Sequence, residues 1–166
     1  ILTDKSSIER NPGGLSIARY LSTIPEKKLI LVNNDEIDKE NMLAENTKAR
    51  LITYGLNKKA HVSASSIDIN ETVCFNYCVQ KQFPTVSGKR IEPFEIPVCL
   101  NALGSHNIYN ALAAITCGLY YDKEIAGIKS LVESYKAPER HFQKIYDGDF
   151  TIIDNCCSSM HDYLIA

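Results

Sequence analysis

The 166-residue sequence contains no run approaching the ~20 consecutive apolar residues that a membrane-spanning helix needs, and no charged-then-apolar leader with a small-residue cleavage site. It also lacks an excess of either charge, with 18 Lys and Arg against 20 Asp and Glu and a formal net charge of -2. A partner held through nucleic-acid phosphates would need surplus cations to displace counterions, so that class of function is excluded. The paired cations Lys27-Lys28, Lys58-Lys59 and Lys89-Arg90 are scattered and read as solvated strand ends and loops. No C-x-x-C pair occurs among Cys74, Cys78, Cys99, Cys117, Cys156 and Cys157. The C-x3-C spacing of Cys74 and Cys78 has no second pair downstream to complete a zinc site. On an alternating strand these two fall on one face, and the cysteines are expected to be structural thiols in a reducing compartment, with adjacent Cys156-Cys157 the reactive candidates. There is no internal repeat and no low-complexity segment. Beginning at Ile1 and not at Met, the sequence is expected to be a processed or truncated piece of a cytoplasmic protein.

What is present suits one sizeable core. The sequence is 45% hydrophobic and 23% charged, and a domain of this length buries roughly two-thirds of its unfolded surface. After the breaker Asn11-Pro12-Gly13-Gly14, the apolar residues Leu15, Ile17, Ala18 and Leu21 fit a short helix. Residues 29–32 and 51–54 form short, continuously apolar runs, as in strands covered on both faces. A polar helix over 35–45 between them makes a β-α-β unit of a parallel sheet. Between 61 and 100 the pattern alternates instead, predicting an antiparallel β subregion with a turn at Ser87-Gly88-Lys89. Its last strand carries two prolines and is therefore at best an edge strand. A helix over 107–120 follows, then a second one capped by Asp122, with Ile125, Ile128, Leu131 and Val132 at helical spacing. Asp147-Gly148-Asp149 fits a tight hairpin turn, and a further helix is expected to open at 160–166.

The most informative run is Gly104-Ser105-His106-Asn107-Ile108-Tyr109-Asn110-Ala111-Leu112-Ala113-Ala114. A turn glycine leads into a helix whose asparagines, three residues apart, share a face. Two carboxamides offer both donors and acceptors, which suits the mixed edge of a purine. This run resembles the G-x-H-N-x-x-N-x-L-A-A signature of the Mur ligase family, the ATP-dependent amide ligases of peptidoglycan assembly. Four further landmarks follow the family order. Residues 28–36, ending Asn33-Asn34-Asp35-Glu36, resemble an apolar strand closing in N-x-D-D. Residues 49–55 are similar to A-x-x-I-T-Y-G, Pro138-Glu139-Arg140 to P-G-R, and residues 150–154 to the strand that ends in an acid.

The resemblance implies that Asn107 and Asn110 contact the adenine of ATP, that Arg140 engages its phosphates and that Asp154 accepts hydrogen bonds from the ribose hydroxyls. An asparagine at a helix start also serves as a cap, and a surface arginine commonly makes a weak ion pair. Glu139 replaces the family glycine before the arginine. The magnesium-binding part of the pattern is not retained. The phosphate loop G-T-x-G-K-T-T is absent, Ser6-Ser7-Ile8-Glu9-Arg10 keeps only the end of D-H-L-D-R, and Tyr20 stands where many members carry a carbamylated lysine. Asn155-Cys156-Cys157-Ser158-Ser159 replaces Y-A-H-N-P.

The expectation is thus an α/β fold with a mostly parallel sheet and helices. Residues 1–166 would be part of a Mur ligase central domain, with 61–100 as a β subregion and the carboxy-terminal ligase domain absent. The implied function of the full-length protein is an ATP- and Mg2+-dependent ligase that activates a small-molecule carboxylate as an acyl phosphate and joins it to an amine, in cell-wall precursor chemistry of the tripeptide type. The fragment alone would be inactive, and the catalytic residues stay unassigned. The alternatives are a non-catalytic module of the same fold that binds a partner protein, and a cysteine-dependent metal or redox protein.

Overall fold

The computed structural model describes residues 28–36, 49–70 and 72–156. The expected helices at 15–21 and 160–166, and nearly all of the one at 35–45, lie outside the described residues. A five-stranded sheet forms the frame, in the order β1 (Leu29–Asn33), β2 (Arg50–Tyr54), β3 (Val62–Ile69), β4 (Val73–Val79) and β7 (Phe94–Leu100). Two short strands, β5 (Phe83–Pro84) and β6 (Arg90–Ile91), pair around the Ser87-Gly88 turn. The helices α1 (His106–Tyr120) and α2 (Ile125–Glu133) follow, and a hairpin of β8 (Gln143–Asp147) and β9 (Thr151–Asp154) closes the described chain.

The sheet is mixed in a way that follows from connection length. β1 and β2 pair in parallel along their whole length, from Leu29 opposite Arg50 to Asn33 opposite Tyr54. β3 is also parallel to β2, but they meet only at Tyr54 and Val62. Full parallel pairing needs a crossover of a dozen or more residues, and the loop from Gly55 to His61 is too short for one. β3 therefore starts where β2 ends, and Thr53 and His61 fasten the corner through reciprocal bonds, His61 N–H to Thr53 Oγ1 at 3.1 Å and Oγ1 to Nδ1 at 2.9 Å. From there β3, β4 and β7 run antiparallel. The alternating segment is thus continuous with the parallel strands, and Pro97 sits on the edge strand β7, as its composition requires.

Alternation decides what faces the core. On β4, Val73, Phe75, Tyr77 and Val79 are buried while Cys74, Asn76 and Cys78 are not. On α1, Ile108, Ala111, Leu112, Ile115 and Leu119 recur at helical spacing and are all buried. The helix lays this stripe on the sheet, and its small residues permit a close approach. At the centre of that contact the Tyr77 hydroxyl lies 3.0 Å from Thr116 Oγ1, which itself donates to the Leu112 carbonyl at 2.6 Å. Burial pushes the Tyr77 phenol well above its ordinary value.

Three expectations require correction. Asp122 does not cap α2, whose N-cap is Glu124. Asp122 instead takes a left-handed conformation (φ 57°) and accepts from the Ser87 N–H and hydroxyl, tying the β5–β6 turn to the end of α1. The helical spacing of Ile125, Ile128, Leu131 and Val132 does not make one buried stripe, since only Ile128 is buried and Leu131 is 74% exposed. The cysteines are not all free thiols, since Cys74 and Cys99, directly opposite on β4 and β7, form a disulfide. Nor, among the described residues, are the free ones buried: Cys78 and Cys117 are half-buried and Cys156 is exposed.

Candidate nucleotide site

The asparagine helix is held at its start by packing that explains the G-x-H part of the run. Gly104 has φ +92°, a region that suits glycine, and a Cβ there would lie 2.6 Å from the His106 ring. The ring is stacked at a tilt on Phe142, centroids 5.2 Å apart, which joins the helix start to the loop carrying Arg140. Burial, and secondarily the charge of His141, lowers the His106 pKa below its ordinary value. Protonation therefore favours the unfolded chain. Stability is expected to be lost as pH falls through about 6.5, the unfolded value. Urea midpoints at pH 7.5 and 5.5 should show this loss, and His106→Gln should reduce it.

A second tether fixes the same helix to the carboxyl ends of the parallel strands, and it was not foreseen from the sequence. The Tyr109 hydroxyl donates to Asp35 Oδ2 at 3.1 Å, and the Leu56 N–H donates to the same oxygen at 2.6 Å. Asn33 Oδ1 accepts from the Asp35 N–H at 3.1 Å and so shapes the turn. A Cβ at Gly55 would come within 2.8 Å of the Asp35 carboxylate. The pairing of N-x-D-E with T-Y-G in the sequence is thereby explained, since the acid of one closes over the glycine of the other. Burial, with the charge of Asp35, pushes the Tyr109 phenol up to about 12.

Asn107 and Asn110 come together as expected, but in different roles. Asn107 is buried, and its Nδ2 donates to the Leu103 carbonyl at 2.7 Å. A carbonyl only accepts, so this bond fixes the orientation of the Asn107 amide and turns its Oδ1 toward the next turn of helix. There Oδ1 accepts from Asn110 Nδ2 at 3.4 Å. Asn110 is exposed and lines the cavity, where its amide offers Oδ1 as an acceptor and the second N–H of Nδ2 as a donor. That cavity, of about 300 Å3, is lined by Leu100, Asn107, Asn110, Ala111, Ala114, Leu131, Val132 and Tyr135. Apolar walls, one aromatic ring and an exposed amide match a flat heteroaromatic base with polar groups at its edge. Leu131 and Tyr135 are exposed because they form the rim. The helical period alone assigns Leu131 to the core, and only the position of α2 reveals its other use.

Arg140 and Asp154 also come together, as an ion pair with Nε to Oδ2 at 3.3 Å. Neither lines the asparagine cavity. The Arg140 side chain is 69% exposed, so the pair contributes about 0–1 kcal/mol. Its backbone is left-handed, φ 64°, as is that of Phe142 at 51°. The loop is tied down by Arg140 N–H to Gln143 Oε1 at 3.1 Å and by the Cys156 N–H, which donates to the Arg140 carbonyl at 2.7 Å. Non-glycine residues in this region store strain, which is common at ligand-binding loops. Beside the loop, a cavity of about 550 Å3 is lined by residues that include Asn101, Lys136, Glu139, Phe142 and Lys144. Among the described residues no three His, Cys, Asp or Glu side chains converge to hold a metal ion.

Comparison with known proteins shows the family. The model of the Mur ligase middle domain matches residues 18–118. The chain is 26% identical over 138 residues to the UDP-N-acetylmuramate--L-alanine ligase of Jannaschia sp. (strain CCS1), covering 82% of this chain and 27% of that protein. It is 36% identical over 112 residues to the enzyme of the same name from Rickettsia bellii (strain OSU 85-389), covering 66% and 22%. The fold is shared with MurF from Acinetobacter baumannii, with a TM-score of 0.68 at 15% identity over 89% of this chain and 30% of that one. It is likewise shared with the UDP-N-acetylmuramate-alanine ligase MurC from Thermotoga maritima, at a TM-score of 0.59 and 16% identity over 82% and 28%. The chain thus spans between 22% and 30% of the length of these relatives. With the middle-domain model matched over most of its length, the chain belongs to the Mur ligase family.

Proposed function

We propose that this chain is the nucleotide-binding part of an ATP-dependent ligase that forms an amide between a small-molecule carboxylate and an amino-acid amine. The observation that carries the reading is the amide relay from the Leu103 carbonyl through Asn107 to Asn110. It leaves the Asn110 amide at an apolar cavity, where its oxygen would accept from the exocyclic amine of adenine. Asn107 is then a positioning residue and Asn110 the recognition residue, with Tyr135 and Leu100 enclosing the ring. Arg140 would exchange its partner Asp154 for phosphate oxygens, for which a guanidinium is suited, and Asp154 would accept from the ribose hydroxyls.

In the reaction, a carboxylate oxygen attacks the terminal phosphorus of ATP, giving an acyl phosphate and ADP. The amine then attacks the acyl carbon and expels phosphate. The acid-base work is assigned to no described residue, and the fragment alone is expected to be inactive. The relatives' printed names make UDP-N-acetylmuramate and L-alanine the first substrates to try, and the use of ATP suits a cytoplasmic enzyme. The hairpin of β8 and β9 exposes Ile145, Tyr146, Phe150, Ile152 and Ile153. An isolated hairpin of this kind is marginal, which supports a further ligase domain covering it.

A second reading is favoured by the departures from the family's metal-binding pattern at residues 6–10 and at Tyr20. It is a non-catalytic module that keeps the fold and binds a protein. The two are separated by ADP release from the full-length protein supplied with ATP, magnesium, UDP-N-acetylmuramate and L-alanine. ADP formed only when both co-substrates are present supports the ligase. Nucleotide binding without turnover, for these and for related acyl and amine substrates, supports the module.

A further inference from the structure

The disulfide lies on the outer face of the sheet, away from the core, yet it is wired to the candidate nucleotide cavity through a single residue. Cys99 is exposed and Cys74 half-buried, so an external thiolate can reach the bond. Their Cα atoms are 4.1 Å apart, as in the close, non-hydrogen-bonded pairs of an antiparallel ladder. The Cys99 N–H accordingly turns away from β4 and donates to Glu133 Oε1 of α2 at 3.2 Å. The next residue, Leu100, is buried and forms a wall of the cavity, and Val132 and Tyr135 beside Glu133 form another. Cys99 therefore carries the covalent tie to β4, the tie to α2 and the backbone of one cavity wall.

We propose that Cys74–Cys99 is a reversible redox latch on the nucleotide cavity, opened by dithiol reductants and closed by low-molecular-weight disulfides. A thiolate of the dithiol attacks one sulfur, and the other cysteine leaves as a thiolate that takes up a proton. The second thiol of the reductant then resolves the mixed disulfide. One S–S bond is broken and one formed, and two electrons and two protons pass to the protein. Reduction leaves the buried face of Val73, Phe75, Val98 and Leu100 in place, so the sheet persists while the end of β7 and its hold on α2 loosen. A less ordered cavity binds less tightly. In a reducing compartment disulfides are typically transient and redox-sensing, which is the behaviour this placement suits. The effect on nucleotide affinity rests on the nucleotide reading above, while the loosening of β7 and α2 does not.

The test compares the full-length protein after oxidised glutathione and after dithiothreitol, with alkylation and intact mass to count free thiols. ATP affinity and hydrogen exchange over β7 and α2 are then measured in both states. Reduction is expected to expose two further thiols, to weaken ATP binding about fivefold, a usual size for such coupling, and to speed exchange in both elements. Cys74→Ala/Cys99→Ala should resemble the reduced protein and ignore the oxidant, and Cys78→Ala should respond as the unmodified protein does. Equal affinity and equal exchange in the two states, or a response that survives in the double variant, would overturn the latch. If neither state binds ATP, the nucleotide reading fails, and the exchange comparison alone decides the latch. If the double variant does not fold, the two redox states of the unmodified protein decide it.

Discussion

Asn107→Asp is expected to destabilise the protein by on the order of 3 kcal/mol at pH 7, because it leaves the half-buried Leu103 carbonyl without its donor and buries a charge at the same point. Asn107 is 4% exposed. Its Nδ2 serves the Leu103 carbonyl, and a carboxylate oxygen in its place would face another acceptor. Desolvation raises the pKa of the introduced carboxyl in the folded state. The sign of the pH dependence follows. Below the unfolded value of about 3.9 the carboxyl is protonated in both states and its O–H can serve Leu103. As pH rises from there through the raised folded value, the variant loses stability that the unmodified protein keeps. Urea midpoints of both proteins between pH 4 and 7.5 should therefore diverge as pH rises. Parallel curves would mean that Asn107 is not the buried strut described here. Asn107→Ala removes the same donor without the charge, and its deficit should not change with pH.

Leu112→Ala is the second large effect, with an expected loss of about 2–5 kcal/mol. Leu112 is 0% exposed, at the centre of the stripe that α1 lays on the sheet, and its carbonyl accepts from Thr116, the neighbour of Tyr77. The lost methyl groups are replaced by a cavity that rigid strands on one side and a helix on the other cannot close. Ala114 on the opposite face lines the nucleotide cavity and is exposed, so Ala114→Ser should leave the melting temperature nearly unchanged. A thermal shift for Leu112→Ala no larger than that of Ala114→Ser would contradict the assignment of the two faces.

These two faces show what could be read from the residues and what could not. The spacing of Ile108, Leu112, Ile115 and Leu119 is enough to place the helix and its buried side, and G-x-H-N-x-x-N is enough to bring the two carboxamides to one face. The different use of the two asparagines is not legible, because it depends on which carbonyl stands four residues back and on how deeply each side chain lies. The tether of Tyr109 to Asp35 links residues 74 apart, and only the assembled sheet brings them together. The same holds for Cys74 and Cys99: pairing them requires the register of β4 against β7, and a slip of one residue would put Cys99 on the other face. Asp122 looked like a cap because an acid stood before an apolar period. The carboxylate is drawn to Ser87 instead, since α2 begins two residues later than that reading required. The resemblance assigns Arg140 and Asp154 separately to a ligand, and in the fold they pair with each other, which only the placement of β9 beside the loop reveals.

The central claim is that the relay through Asn107 presents the oxygen of Asn110 to an adenine. Equilibrium binding of ATP and GTP to the full-length protein, unmodified and Asn110→Ala, tests it most directly. An amide oxygen accepts from the amine of adenine but faces the carbonyl of guanine. ATP should therefore bind more tightly than GTP, and Asn110→Ala should weaken ATP by about 1 kcal/mol or more, roughly fivefold, while narrowing the gap between the two nucleotides. Equal affinities for ATP and GTP, or an ATP affinity untouched by Asn110→Ala, would contradict it.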